Sequence, residues 1–175
     1  MILEDVAHWI AGTPPSVLIQ TNEAWFIPAV QSVHIAGIGV VLACVLMMTL
    51  RVLGLSGHDQ TVLQTQRRFG PWLYGALCVL LVTGILMIIG EPERELVTFS
   101  FWAKMTLVAL GTAIALVFQR SVRTAGADWE DKVGSHTSVK IIAVATFLMW
   151  LAVVFLGRLI AYDHIWGPLS PSLKQ

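Results

Sequence analysis

The fold of this chain is decided by the stretch AWFIPAVQSVHIAGIGVVLACVLMMTL, residues 24–50. It runs for 27 residues without a formal charge, whereas a membrane crossing needs about 20 apolar residues. Pro28 and His34 interrupt its hydrocarbon character. The stretch therefore predicts a transmembrane helix.

Three further apolar stretches follow the first. Residues 69–90 are uncharged, with Pro71 at a predicted first-turn position and Gly90 at the end. The third stretch contains Lys104 and the fourth contains Arg158, and each is long enough to cross a core of about 30 Å. The four predicted spans are residues 25–50, 70–90, 99–119 and 139–160.

The overall composition agrees with a membrane protein. Of 175 residues, 56% are hydrophobic and 13% are charged, and the mean hydropathy is +0.74, whereas soluble domains carry about 25% charged residues. A water-soluble monomer is excluded, and the length suits a single transmembrane domain over residues 1–175. The predicted fold class is all-α, an integral membrane four-helix bundle.

The N-terminal segment predicts a short helix that lies in the membrane surface. Its apolar residues recur at helical spacing, and its charged residues occupy other faces. The segment lacks the basic region of a signal peptide, so we expect it to be retained. The predicted interfacial amphipathic helix covers about residues 2–11, and the turn GTPP, residues 12–15, ends it.

The basic residues of the loops predict the orientation. Residues 51–68 hold three Lys or Arg and residues 120–140 hold four, whereas the other segments outside the spans hold two, Arg94 and Lys174. Because basic loops stay in the cytoplasm, the sequence predicts a multi-pass protein of a bacterial inner (plasma) membrane with both termini on the outer side. Tryptophans near the span ends are expected interfacial anchors: Trp25, Trp72, Trp102 and Trp166.

Several function classes find no support in the sequence. Eleven basic residues balance eleven acidic ones, and no basic block could follow a phosphate backbone, so nucleic acid is not an expected partner. Both cysteines, Cys44 and Cys78, lie inside apolar runs without a metal-ligand spacing. No catalytic motif supplies a nucleophile, which argues against an enzyme. Membrane lipid is the expected surrounding partner.

Small residues predict where helices approach each other in lipid. In span one they form a stripe at steps of three and four, and in span three they form two pairs, Ala109 with Ala113 and Gly111 with Ala115. We expect these faces to build the bundle. A homodimer face is the alternative for the stripe in span one, which consists of Ala29, Ser32, Ala36, Gly39 and Ala43.

Three polar side chains are expected at one depth. His34 is 17 residues from Arg51, Lys104 is 16 from Arg120, and Arg158 is 18 from Lys140. At about 1.5 Å per residue, all three lie about 24–27 Å across a core of about 30 Å. They form a predicted outer layer beneath the acidic residues Glu91, Glu93 and Glu95.

Two interpretations of this layer remain open. Lys104 and Arg158 can reach lipid phosphates or the acidic loop and merely anchor the bundle. Alternatively, His34, Lys104 and Arg158 form a ligand-binding site. In that case the protein is a non-catalytic module that binds a small anionic or lipid-like ligand, or a membrane or periplasmic partner protein.

A haem b or metal module, in electron transfer or metal handling, is the alternative function. His34 would be the axial haem ligand, with Lys104 and Arg158 pairing the propionates. A second histidine is missing at this depth, because His136 begins span four on the opposite side; Met87 or Met105 would have to serve. Copper is less favoured, because its soft ligands would be Cys44, Cys78 and nearby methionines, which also fill cores.

Three blocks carry a family resemblance: SVHIAGIGVVLACVLMMTLRVLGL (32–55), FWAKMTLVALGTA (101–113) and WLAVVFLGRLIAY (150–162). They resemble the recurrent blocks of a bacterial domain-of-unknown-function family of small four-helix membrane proteins. The matching positions include His34, Lys104 and Arg158, whereas Thr49 stands where the family often has Asp. A looser likeness exists to copper-resistance membrane domains. The resemblance implies membership and architecture, and no established activity.

Overall fold

A computed structural model describes residues 2–57, 59–125 and 137–160, and over these ranges the chain is built from helices alone. The helices, numbered in chain order, are α1 (Ile2–Ala11), α2 (Pro14–Thr21), α3 (Glu23–Leu53), α4 (Val62–Gly90), α5 (Pro92–Leu96), α6 (Phe99–Ala125) and α7 (Thr137–Leu159). Four of them, α3, α4, α6 and α7, are long and apolar enough to cross a membrane. The all-α prediction with four spans is confirmed.

The four long helices pack in the ring order α3, α4, α6, α7. Contacts are most extensive between α3 and α4, where the Cβ of an alanine at Gly37 would lie 3.1 Å from Leu80 Cδ2. Helix α7 packs against both α3 and α6, whereas α4 and α6 share a smaller contact. The main core consists of Val41, Cys44, Val45, Leu73, Ala76, Trp150 and Val153.

Short helices cover one end of the bundle, which we call the α5 end. Helix α1 packs on α5, and α2 packs on α4. The Ser16 hydroxyl is fully buried and donates to the Ile89 carbonyl at 2.6 Å, which joins α2 to the last turn of α4. Leu3, Val6 and Trp9 of α1 remain exposed, as expected of an apolar face turned towards lipid.

At the opposite end of the bundle, which we call the loop end, α4 begins earlier than expected. The predicted first-turn role of Pro71 is wrong, because α4 already begins at Val62 and Pro71 lies inside it. Thr61 and Gln64 form a reciprocal capping box, in which each side chain accepts from the backbone N–H of the other residue. This cap starts the helix in polar sequence, which a hydropathy pattern does not detect.

The prediction for the small-residue stripe of span one is wrong. Its five residues are all exposed, and no atom lies within 4 Å of a Cβ added to Gly39. The core face of α3 consists instead of positions such as Gly37, Val41 and Cys44, and Gly37 and Cys44 each lie one residue, or about 100°, from a member of the stripe. The neighbouring face of α3, and not the stripe, therefore makes the bundle contact, and the homodimer alternative stays a prediction.

The two small-residue pairs of span three differ in placement. Ala109 and Ala113 are exposed, so this pair makes no helix contact. Gly111 is buried, and a Cβ there would lie 3.0 Å from Trp150 Cε2, while Ala115 packs against the core. The Gly111 position lets α6 approach α7 closely, as small residues do in membrane bundles.

Candidate functional site

The candidate site lies at the α5 end, where α3, α4, α5 and α6 meet. His34 of α3 is partly buried, and its Nδ1 lies 2.7 Å from Thr83 Oγ1 of α4. The His34 ring packs on α4 where a Cβ added to Gly84 would be 3.9 Å from Cε1. The residue count predicts the depth of His34 but does not reveal its partner Thr83, a hydroxyl at matching depth in the uncharged second span.

The hydrogen bonds of Thr83 favour one tautomer of His34. Thr83 Oγ1 donates its one hydrogen to the Val79 carbonyl, 2.7 Å away in the same helix. In this arrangement Thr83 Oγ1 accepts from His34, which corresponds to the tautomer with the proton on Nδ1 and a lone pair on Nε2 of the neutral ring. Within the described ranges, Nε2 has no hydrogen-bond partner. The imidazole therefore presents an acceptor to a ligand.

Lys104 of α6 supplies a positive charge at the same end of the bundle as His34. Its side chain is only 14% exposed, and its stem packs on α7, where a Cβ added to Gly157 would lie 3.7 Å from Lys104 Cδ. The ammonium also lies 5.3 Å from the centre of the Phe101 ring, a cation–π contact. Among the described residues no hydrogen bond or ion pair joins Lys104 to His34, so their membership of one site stays a prediction.

Glu95 is the third charged group of the site, and it comes from α5. Its Oε2 lies 3.9 Å from Lys104 Nζ, an ion pair too long for a hydrogen bond. Only 6% of the side chain is exposed, and this burial raises the pKa of the Glu95 carboxyl, against the opposing effect of Lys104 and Arg94. Among the described residues, the Lys104 ammonium therefore has a charge partner but no hydrogen-bond acceptor.

The other acids of this segment are paired separately. The segment predicted as an acidic loop is the short helix α5, in which Arg94 Nη1 contacts Glu91 Oε2 at 2.9 Å. Glu93 Oε1 lies 3.0 Å from His8 Nδ1 and so ties α5 to α1. Each acid of α5 has its own partner, and only Glu95 faces the candidate site.

Arg158 lies at the same end of α7 but outside this cluster. Its side chain is exposed, and within the described residues no hydrogen bond or ion pair holds it. It follows Gly157, against which the Lys104 stem packs. Its membership of the site stays a prediction.

The metal hypotheses gain no support from the arrangement. Among residues 2–57, 59–125 and 137–160, no three His, Cys, Asp or Glu side chains converge as metal ligands. Cys44 is buried in the core, whereas Cys78 is exposed, so the two thiols do not face each other. His34 Nε2 could donate its lone pair to a haem iron, but no second axial ligand faces it among the described residues, and His136 lies outside them.

A match to a family model shows the family to which this chain belongs. Residues 16–163 match the model of DUF6644, a family of unknown function, and this range includes all four long helices. The chain belongs to DUF6644. No curated protein and no solved structure matches it. For this DUF6644 member the expected kinship with a family of unknown function is confirmed, and its four apolar helices fit a membrane protein. Bacterial origin and the likeness to copper-resistance domains stay predictions.

Proposed function

We propose that this protein is a membrane-embedded binding module whose site at the α5 end takes a small anion of the phosphate type, free or as a lipid headgroup. One observation carries the proposal: the nearly buried Lys104 ammonium has no hydrogen-bond acceptor among the described residues. An ammonium carries three N–H donors. A ligand oxygen would satisfy donors that the long contact to Glu95 leaves unmet.

The chemistry of His34 narrows the ligand class. Because Nε2 presents a lone pair, it repels a bare anion and accepts from an O–H group. A hydrogen phosphate or a monoester phosphate combines a charged oxygen for Lys104 with a hydroxyl for His34. Arg158, exposed on the adjoining turn of α7, is proposed to contact the ligand from the outer side.

Glu95 opposes the binding of an anion when it is ionised. The raised pKa of its carboxyl favours the neutral form, which lowers this repulsion. A Glu95→Gln variant keeps the size of the side chain and removes the charge. We therefore expect tighter anion binding in Glu95→Gln than in the wild type.

Thermal unfolding in detergent tests this function. With delipidated protein, sodium phosphate should raise Tm relative to sodium chloride at equal ionic strength, because a ligand that binds only the folded state stabilises it. Lys104→Met should abolish the rise, and Lys140→Met, the same exchange in α7 towards the loop end, should keep it. Equal loss in both variants, or no rise at all, refutes the site.

A second arm separates the sources of the phosphate group. The protein is placed in discs of phosphatidylcholine with or without phosphatidic acid. Stabilisation by phosphatidic acid alone assigns the site to a lipid headgroup, whereas stabilisation by inorganic phosphate alone assigns it to a free anion. Loss of stabilisation by either source in Lys104→Met supports the site, and retention contradicts it.

The orientation is proposed from the loop charges. Both termini and the α5 end are assigned to the outer side of a bacterial inner membrane, so the site opens outwards. Reporter fusions after Gln66 and Ala127 should be active on the cytoplasmic side, and a fusion at Gln175 on the outer side. A cytoplasmic reporter at Gln175 contradicts this orientation.

A further inference from the structure

Glu95 and Lys104 form a charged pair between the short helix α5 and the span α6. Glu95 Oε2 lies 3.9 Å from Lys104 Nζ, and 6% and 14% of the two side chains are exposed. Within the described ranges, neither the carboxylate nor the ammonium takes part in a hydrogen bond. Each group therefore depends on the other to balance its charge.

The other charges around α5 are engaged elsewhere or exposed. Helix α5 packs on α1, α4 and α6, and the charged residues of α4 and α6 apart from Lys104 lie towards the loop end. The remaining titratable and charged groups of α1 and of the α5 segment are Glu4, Asp5, His8, Glu91, Glu93 and Arg94. Arg94 contacts Glu91 at 2.9 Å and His8 contacts Glu93 at 3.0 Å, whereas both acids of α1 are exposed.

An anion bound to Lys104 would place a second negative charge beside Glu95. Charges with little exposure to water are stable only when they are paired. One ammonium does not balance both an ionised Glu95 and a bound anion. A proton on Glu95 restores the balance, and the neutral carboxyl then offers an O–H donor to the anion.

The position of Glu95 suits it to take up this proton. The carboxyl lies at the α5 end of the bundle, outside the four spans, and its remaining exposure lets solvent reach it. Burial already raises the pKa of the Glu95 carboxyl, against the opposing effects of Lys104 and Arg94. A bound anion acts in the same direction as burial, because a neighbouring like charge disfavours the ionised form.

From these observations we propose that the site binds its anion together with a proton, which Glu95 takes up from solvent as the anion replaces its carboxylate as the partner of Lys104. The coupling rests on the anion site proposed above. The proton comes from water, and no other covalent bond forms or breaks. By linkage, the proton tightens anion binding by the same factor by which the anion favours protonation of Glu95.

Calorimetric titration of the full-length, delipidated protein in detergent with sodium phosphate tests this coupling. Each titration is run at one pH in two buffers that differ in heat of ionisation, and the difference between the measured heats gives the protons taken up per anion. The wild type should take up more protons than Glu95→Gln, by up to about one per anion. Phosphate and His34 also exchange protons, but this exchange is common to both proteins and cancels in the difference.

Glu93→Gln is the matched control for Glu95→Gln. It makes the same exchange in the same helix, at an exposed acid that contacts His8 and not Lys104. It should keep the proton uptake of the wild type. Across a pH series, the Kd for phosphate should rise with pH more steeply in the wild type and Glu93→Gln than in Glu95→Gln, by up to about tenfold per pH unit.

Infrared difference spectroscopy detects the proton on the carboxyl directly. Addition of phosphate to the wild type should produce the C=O stretching band of a protonated carboxylic acid. The band should be absent in Glu95→Gln and present in Glu93→Gln. Far-UV circular dichroism and size exclusion establish that each variant is folded.

The outcomes separate the coupling from the anion site itself. Phosphate binding with equal proton uptake in the wild type and Glu95→Gln overturns the coupling and leaves the anion site in place. Loss of the uptake in both Glu93→Gln and Glu95→Gln also overturns it, because the proton is then not held at Glu95. Absence of phosphate binding in the wild type overturns the anion site and the coupling together.

Discussion

Replacement of Gly111 by alanine tests the closest approach of α6 to α7. The new Cβ would lie 3.0 and 3.1 Å from Cε2 and Cζ2 of Trp150 and 2.8 Å from the terminal methyl of Met149. Favourable contacts between carbon atoms have separations of about 3.5–4.0 Å. The Met149 methyl can rotate away, but the indole is rigid and packed in the core, so the two helices must separate by several tenths of an ångström.

Gly39→Ala is the matched control for this change. Both substitutions gain up to about 1 kcal/mol from the lower backbone entropy of alanine in a helix. Nothing lies within 4 Å of the new Cβ at position 39, whereas overpacking at position 111 costs about 1–3 kcal/mol. Because the backbone term is common to both, the difference in unfolding free energy between the variants measures the steric cost alone.

Thermal unfolding in detergent, followed by circular dichroism, measures this difference. For a protein of this size, a stability change of about 1 kcal/mol shifts Tm by about 2–4 °C, so the Tm of Gly111→Ala should be about 2–12 °C below that of Gly39→Ala. In a Trp150→Phe background the crowded ring atoms are absent, so the penalty at position 111 should shrink and the two changes should be non-additive. Equal Tm values for Gly111→Ala and Gly39→Ala, or strict additivity with Trp150→Phe, would refute the packing argument.

Three further predictions concern the ends of the helices and α5. Ser16→Ala should lower the unfolding free energy by about 1–3 kcal/mol, measured by chemical denaturation in detergent, because the Ile89 carbonyl loses its side-chain donor. Thr61→Ala should cost about 1 kcal/mol in the same assay by removing the cap of α4, and an unchanged stability contradicts the cap. Burial raises the pKa of the Glu95 carboxyl in the folded state, so its contribution to stability is full below about pH 4.5 and is lost as the pH rises through the folded-state pKa. Glu95→Gln should remove this pH dependence from Tm values measured across a pH series.

The spans could be predicted from the sequence because hydropathy reports the segments that lipid surrounds. The predicted limits 99–119 and 139–160 lie close to Phe99–Ala125 and Thr137–Leu159. The start of α4 was missed because its first turns are polar and depend on the Thr61 cap. Helices α2 and α5 were missed because they are short and form against α4 and α1, which a local pattern does not reveal.

The candidate site was predictable in part. Counting residues from the loops predicts one depth for His34 and Lys104, and the structure has both at the α5 end, His34 against Thr83 and Lys104 near Glu95. The contact with Thr83 depends on how α3 and α4 are rotated, and depth alone does not fix rotation. The same limit explains the stripe of span one, where an error of one residue turns a helix face by about 100°.

The early start of α4 has a consequence for the membrane that this protein prefers. Arg68 is part of the helix, exposed, with its guanidinium 5.5 Å from the centre of the Phe69 ring. Glu91 follows the last residue of the same helix, so the two charges stand 23 residues, or about 34 Å, apart on a rigid rod. A charge on a flexible loop can follow the membrane surface, whereas these two cannot approach each other. The helix therefore keeps a fixed distance between its two charges. In a thin bilayer it must tilt, and in a bilayer only slightly thicker than average it can lie parallel to the membrane normal.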